Sequence, residues 1–144
     1  MTDMEQTAQF LAKVRLFRNL NKGQLQNLAK SVVLRDYKAG EEIVTQGEGG
    51  IGLYILASGK AEAVHKRSDG SKAVVNTFGP TDYFGELAVL NDEPRTASVV
   101  AVEPTRCMLL SRWEFLGKLR GDADMAIEIL QEMAYRFQRA LEVL

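Results

Sequence analysis

The sequence predicts a mainly β protein with flanking helices: an antiparallel, jelly-roll-like β-roll preceded by helices and followed by a helix pair. Three observations carry this. Residues 31–111 form a series of short apolar runs separated by glycine-bearing turns. Residues 1–30 place apolar side chains at helical spacing, and residues 112–144 hold a helix-start signal, a break and a long amphipathic run. A β-sandwich without a ligand has the same strand spacing, so spacing alone does not separate the two. At 144 residues and 46% hydrophobic, the chain suffices for one domain with a core of its own.

In chain order, Phe10, Leu11, Val14 and Phe17 recur at helical spacing and are followed by Leu20. Asn21 and Gln24 stand three residues apart, the capping-box arrangement, and open a helix that buries Leu25, Leu28 and Ala29. Strands are expected at residues 32–34, 42–44, 53–56, 61–66, 72–78, 97–102 and 107–110. The turns between them carry Gly40, Gly47, Gly59, Gly70 and Gly79. Ser111 and Glu114 form a second capping box and start a short helix through Leu119, with Trp113 anchoring it to the roll. Gly121 and Asp122 break that helix, and Asp122 caps the next.

The last helix has an apolar seam, Ile127, Leu130, Ala134, Phe137, Leu141 and Leu144, in alternating steps of three and four. Ile129, Met133 and Ala140 widen the stripe beyond what one flank of the roll covers. One side of this helix packs on its own roll; the extra width suits a twin helix in a parallel homodimer or a cap over a ligand.

Composition excludes several function classes. Eighteen basic residues against nineteen acidic give a net charge of −1, with the basic residues scattered, so there is no nucleic-acid footprint. Apolar runs are too short for a bilayer, and the amino terminus lacks the apolar segment of a signal peptide. A single cysteine, Cys107, forms no internal disulfide and suits a cytoplasmic location. His65 is the only histidine, so no metal set is expected. No serine lies in a nucleophile elbow and no base is at hand for one, which argues against an enzyme.

The most informative stretch is Phe84 to Val99, FGELAVLNDEPRTASV. Gly85 allows the backbone to approach a ligand closely. Residues 86–90 can form one short helix whose first N–H groups, including those of Leu87 and Ala88, have no internal partner and attract an anion. Arg95 offers a planar fork for two phosphate oxygens, and Thr96 a hydroxyl. Glu86 is a poor neighbour for phosphate unless something donates to it, and a ribose 2′-hydroxyl does. One small ligand carrying both phosphate and sugar satisfies the set. An ordinary surface helix with an exposed Glu and Arg is the plainer alternative.

On these residues the segment closely resembles the phosphate-binding cassette of the cyclic nucleotide-binding domain family, whose pattern runs FGE, an apolar helical turn, a short loop and PR with small or hydroxyl residues. Residues 36–59 are similar to the family's turn-strand run, with glycines matching Gly40, Gly47, Gly50 and Gly59. The resemblance implies a single domain over residues 1–144: helices in 1–30, a β-roll in 31–111 containing the cassette 84–99, and helices in 112–144. It further implies a non-catalytic sensor that takes a cyclic purine mononucleotide, cAMP favoured over cGMP, with no cofactor, and signals by moving its terminal helices. The implied site comprises Gly85, Glu86, Leu87, Ala88, Arg95 and Thr96, with Val64, Val75 and Ala97 walling the sugar and base. Because the last helix moves onto the base in relatives, Met133, Tyr135, Arg136 and Phe137 are candidates to cap it. Partners are then the nucleotide and a second copy or a partner protein, without nucleic acid or membrane.

One departure stands out. Many relatives carry, in a GDxGD-like turn, an acidic residue that pairs with the cassette arginine; here the turn reads Gly47-Glu48-Gly49-Gly50-Ile51, and Ile51 accepts no hydrogen bond. Arg95 is then steadied by Glu86 or another group, or is looser when no ligand is present. Two alternatives accompany the receptor reading. One is a fragment or truncated relative of a catabolite-activator-type transcription regulator. Against DNA contact by the last segment, Asp122, Asp124, Glu128, Glu132 and Glu142 outnumber Arg136 and Arg139. The other is a module of the same fold that has lost its ligand.

Overall fold

The computed structural model describes residues 3–49, 51–86 and 94–143. The amino-terminal helices are α1 (Asp3–Leu11) and α2 (Lys22–Ala29), joined through a 3-10 turn at Arg15–Phe17. The run from Phe10 to Phe17 is therefore broken, not one helix. Lys13 and Val14 donate to carbonyls three residues back, and Val14 is extended at φ −79°, ψ 128°. The break keeps Leu11, Val14 and Phe17 all fully buried, which one straight helix at these spacings need not do. At α2 the capping box is complete, Gln24 N–H donating to Asn21 at 2.8 Å and Asn21 N–H to Gln24 at 2.9 Å.

Eight strands follow among the described residues: β1 (Val33–Tyr37), β2 (Glu42–Val44), β3 (Gly52–Ser58), β4 (Ala61–Lys66), β5 (Lys72–Phe78), β6 (Tyr83–Phe84), β7 (Ser98–Ala101) and β8 (Thr105–Ser111). They pair antiparallel in two four-stranded sheets, ordered β1-β8-β3-β6 and β2-β7-β4-β5. This is a jelly-roll order, and the sheets face each other without closing into a barrel. Strand β6 was not anticipated: two residues have no period of their own, and pairing of Tyr54 with Phe84 and Ile55 with Tyr83 makes it a strand.

Two cores result, one on each face of the first sheet. Inside the roll, Tyr54, Leu56, Cys107 and Leu109 meet Ile43, Ala61, Ala63, Val99 and Ala101 of the second sheet. On the other face, Leu53, Ile55, Met108 and Leu110 are covered by helices. The alternation of β3 and β8 divides their side chains between these cores, as period two requires.

The carboxy-terminal helices are α3 (Arg112–Gly121) and α4 (Ala123–Glu142). Ser111 caps α3 by accepting from Glu114 N–H, but the Glu114 carboxylate accepts from Ser31 Oγ at 2.9 Å, so only half the expected capping box forms. Trp113 is not the anchor: it is 74% exposed beside Arg112, while the fully buried Phe115 packs edge-on to Phe17 at 6.3 Å. Asp122 caps α4 through Met125 N–H at 3.0 Å. Along α4, Met125 and Ile129 enter the helical core, and Met133 packs partly buried against it.

Candidate functional site

Between the two sheets, at the end where β6 leads into the cassette, lies an open cavity of about 580 Å³. That is within the range of small-ligand sites. Tyr54 and Phe84 stack beneath it, ring centroids 5.2 Å apart and nearly parallel, with Phe78 tilted against Phe84 at 5.1 Å.

Arg95 sits on this aromatic floor, 5.9 Å from the Tyr54 ring centroid and only 8% exposed. Two backbone bonds fix its loop: Arg95 N–H donates to the Glu48 carbonyl and Gly47 N–H to the Arg95 carbonyl, both at 2.8 Å. Its Nη2 donates to the Gly52 carbonyl at 2.8 Å, whereas its buried Nε has no hydrogen-bond partner among the described residues. Burial pushes the guanidinium below its ordinary value, with Tyr54 and Glu86 opposing. A buried donor without an acceptor is costly. Gly85 has φ +92°, and a Cβ built there would collide with Nη1 of Arg95. The bare glycine backbone is therefore what lets the arginine lie against residue 85.

Of the named supports for the arginine, it is another group, the Gly52 carbonyl, and not Glu86 that bonds it. Ile51 is 59% exposed and takes no part, and Glu86 is engaged elsewhere. Its Oε1 accepts from Arg136 Nη1 at 2.9 Å, and Arg136 Nη1 also donates to Tyr83 Oη at 2.6 Å. The Arg136 guanidinium lies 4.8 Å from the Tyr83 ring centroid. Burial alone would lower Arg136, but Glu86 and Tyr83 outweigh it, so its pKa is raised. Burial raises the Tyr83 hydroxyl, and Arg136 partly offsets this.

Of the residues singled out from the sequence, Gly85, Glu86, Arg95, Thr96, Ala97, Val75 and Arg136 line this cavity. Leu87 and Ala88 lie outside the described residues, as do Gly50 and Leu144. Val64 does not line it; Ala63 does, because alternation along β4 turns 61 and 63 inward and the pairing with β5 slips between Ala63 and Val64. Three capping candidates also stand elsewhere. Met133 packs on the helical core, Tyr135 lies under Arg15 and Arg18 at 5.3 and 5.9 Å, and Phe137 is 67% exposed. Helical phase explains this: Glu132 and Arg136, one turn apart, occupy the inward face. Glu132, almost fully buried, pairs with Arg15 at 2.9 Å and Arg18 at 3.2 Å, tying α4 to the 3-10 turn.

Sequence reasoning missed Ala63, Asn76, Tyr83 and Phe84 in the lining. Small residues at alternate positions of β4 and the aromatic pair before Gly85 were the available signals. It also passed over His65, whose Nδ1–H donates to the Thr96 carbonyl at 2.9 Å and so holds the loop after Arg95. Among the described residues, no cluster of three or more His, Cys, Asp or Glu side chains is arranged to hold a metal.

Comparison with known proteins agrees with this fold. A cGMP-dependent protein kinase of Eimeria tenella is 39% identical over 114 residues, 79% of this chain and 11% of the kinase. A cAMP-dependent protein kinase regulatory subunit of Dictyostelium discoideum is 34% identical over 132 residues, 90% of this chain and 40% of that protein. The chain thus spans less than half the length of either. The regulatory domain of Toxoplasma gondii PKA, solved with cAMP, superposes with a TM-score of 0.81 at 25% identity, covering 94% of this chain and 50% of that one. The family pattern described as "Cyclic nucleotide-binding domain" matches residues 34–122, from β1 to the cap of α4. With the cassette glycine, its carboxylate and its arginine gathered at one cavity, the chain belongs to the cyclic nucleotide-binding domain family.

Proposed function

We propose that residues 1–144 act as one cytoplasmic receptor unit that binds a cyclic purine mononucleotide without altering it, cAMP favoured over cGMP. The observation that carries this is the buried Arg95 at the wall of the cavity, whose Nε lacks an acceptor among the described residues. A cyclic phosphate carries a single negative charge and supplies that acceptor. Gly85 and the N–H groups of Leu87 and Ala88 cradle the phosphate, Glu86 accepts from the ribose 2′-hydroxyl, and Thr96 donates to phosphate or base edge. Val75 and Ala97, with Ala63 in place of Val64, wall the sugar and base. The two relatives pull in opposite directions, the cAMP-dependent subunit matching over more of the chain (90% against 79%) and the cGMP-dependent kinase at higher identity (39% against 34%), so titration with both nucleotides decides.

The signal leaves through the terminal helices, since α4 touches the cavity through Arg136 and the 3-10 turn through Glu132. Its receiver is a second copy of the chain or a partner protein. Ile127, Leu130, Phe137 and Leu141 are exposed on one face of α4, and a parallel twin would cover them. Among the described residues no helix is long and apolar enough to cross a membrane.

Calorimetric titration with cAMP and cGMP, repeated on Arg95→Ala, tests the assignment. Wild type is expected to bind at least one at roughly micromolar Kd, about −8 kcal/mol. The variant should lose about 2–4 kcal/mol with the charge-assisted fork. Equal binding by both proteins removes the site.

A further inference from the structure

We propose that His65, which lies outside the cassette, is a positioning residue for Thr96: its hydrogen bond to the Thr96 carbonyl aims the Thr96 hydroxyl into the cavity. This rests on the receptor reading above and adds to it the group that sets one of the ligand contacts. The pairing of β4 with β7 runs from Ala61 opposite Ala101 to Val64 opposite Ser98 and stops there. Thr96 and Ala97 lie past the last pair, in a bend, where no strand partner among the described residues fixes their backbone. Side chains take over at this end of the sheet. Gln46 offers its amide to Lys66 as a neighbouring strand would, accepting from Lys66 N–H at 2.7 Å and donating to the Lys66 carbonyl at 2.9 Å. Gln46 N–H in turn donates to Ser98 Oγ at 2.9 Å. Alternation puts His65 on the face of β4 that carries Ala61 and Ala63, one step beyond the cavity lining. From there Nδ1–H reaches the Thr96 carbonyl at 2.9 Å. A carbonyl oxygen only accepts, so the proton sits on Nδ1.

The flanking residues are held differently. Arg95 is tied to the turn at Gly47 and Glu48 through its own N–H and carbonyl, both at 2.8 Å, and Ser98 belongs to β7. Among the described residues, the His65 bond is thus what sets the peptide orientation at Thr96. Threonine makes that orientation matter. Its branched Cβ leaves few χ1 positions, so the hydroxyl goes where the backbone sends it. Thr96 lines the cavity, and its hydroxyl bonds to none of the described residues, so it is open to a ligand.

The test is a double-mutant cycle read by calorimetric titration with cAMP and with cGMP, on wild type, His65→Leu, Thr96→Ala and the two combined. Each single change should weaken binding by about three- to tenfold, the size of one hydrogen bond. The combined variant should bind no more weakly than Thr96→Ala, because a missing hydroxyl needs no aiming. His65→Ala should behave as His65→Leu. His65→Asn, whose amide nitrogen donates from nearly the place of Nδ1, should recover most of the loss. A histidine that merely holds the fold would weaken Thr96→Ala as much as it weakens wild type. That result, or unchanged binding of both nucleotides by either single variant, overturns the proposal while the receptor reading stands. Failure of wild type to bind either nucleotide overturns both. His65 is exposed at the end of β4, so the variants should fold with an unchanged circular-dichroism spectrum.

Discussion

Gly85 and Arg95 are separated by ten positions but occupy one volume, because the guanidinium lies where a side chain on residue 85 would be. Gly85→Ala therefore imposes a positive φ on an alanine and displaces the arginine. Such strain costs of order 1–3 kcal/mol, expected as a lower urea midpoint together with weaker nucleotide binding by titration. Unchanged affinity would mean that the seat of the arginine does not govern binding. At this scale the cassette was legible because its chemistry is local: a glycine, an acid and a guanidinium within one loop. The inward choice of Ala63 over Val64 had only a faint signal, the small residues at 61 and 63, because it also depends on where β4 slips against β5.

For single elements, α4 is the clearest case of a helix with two occupied faces. Its apolar seam was readable by spacing, and Ile127, Leu130, Phe137 and Leu141 do fall together, but on the outward side. The inward face carries Met125, Ile129, Glu132 and Arg136, two apolar and two charged. A search for apolar periodicity passes over charged residues, so Glu132 escaped it and Arg136 was singled out only through the family resemblance. If the outward seam pairs with a twin, its burial is worth on the order of 10 kcal/mol gross, of which ordering and lost freedom leave only part. Leu130→Glu combined with Phe137→Glu should then convert a dimer to monomer in analytical sedimentation while leaving the circular-dichroism spectrum unchanged. A wild type that is strictly monomeric with and without nucleotide would remove the seam's role.

For the whole molecule, the roll core sets the response to alkali. Burial pushes the Tyr37 hydroxyl from 10.0 up to about 12, with Tyr54 and Cys107 adding to the rise. Burial likewise pushes the Cys107 thiol from 9.0 up to about 12. Between the unfolded and folded values the native state keeps protons that the unfolded chain has lost, so stability falls as pH rises. The urea midpoint should be level near neutrality, begin to fall above about pH 9 and drop steeply from pH 10 towards 12. Cys107→Ser should start its decline later. A midpoint flat through this window would place neither group in the core.

The amino-acid sequence by itself determined the class of fold, the capping of α2 and α4 and the ingredients of the phosphate site, because strand period, cap chemistry and a continuous loop motif are properties of neighbours. Only the tertiary structure decided that Arg95 rests on the Gly52 carbonyl, that Glu86 belongs to Arg136, and that Glu132 ties α4 to Arg15 and Arg18. Those partners lie 43 to 117 positions apart, and a charged side chain's choice among distant partners follows from where packing brings the chain together, not from its own surroundings in sequence.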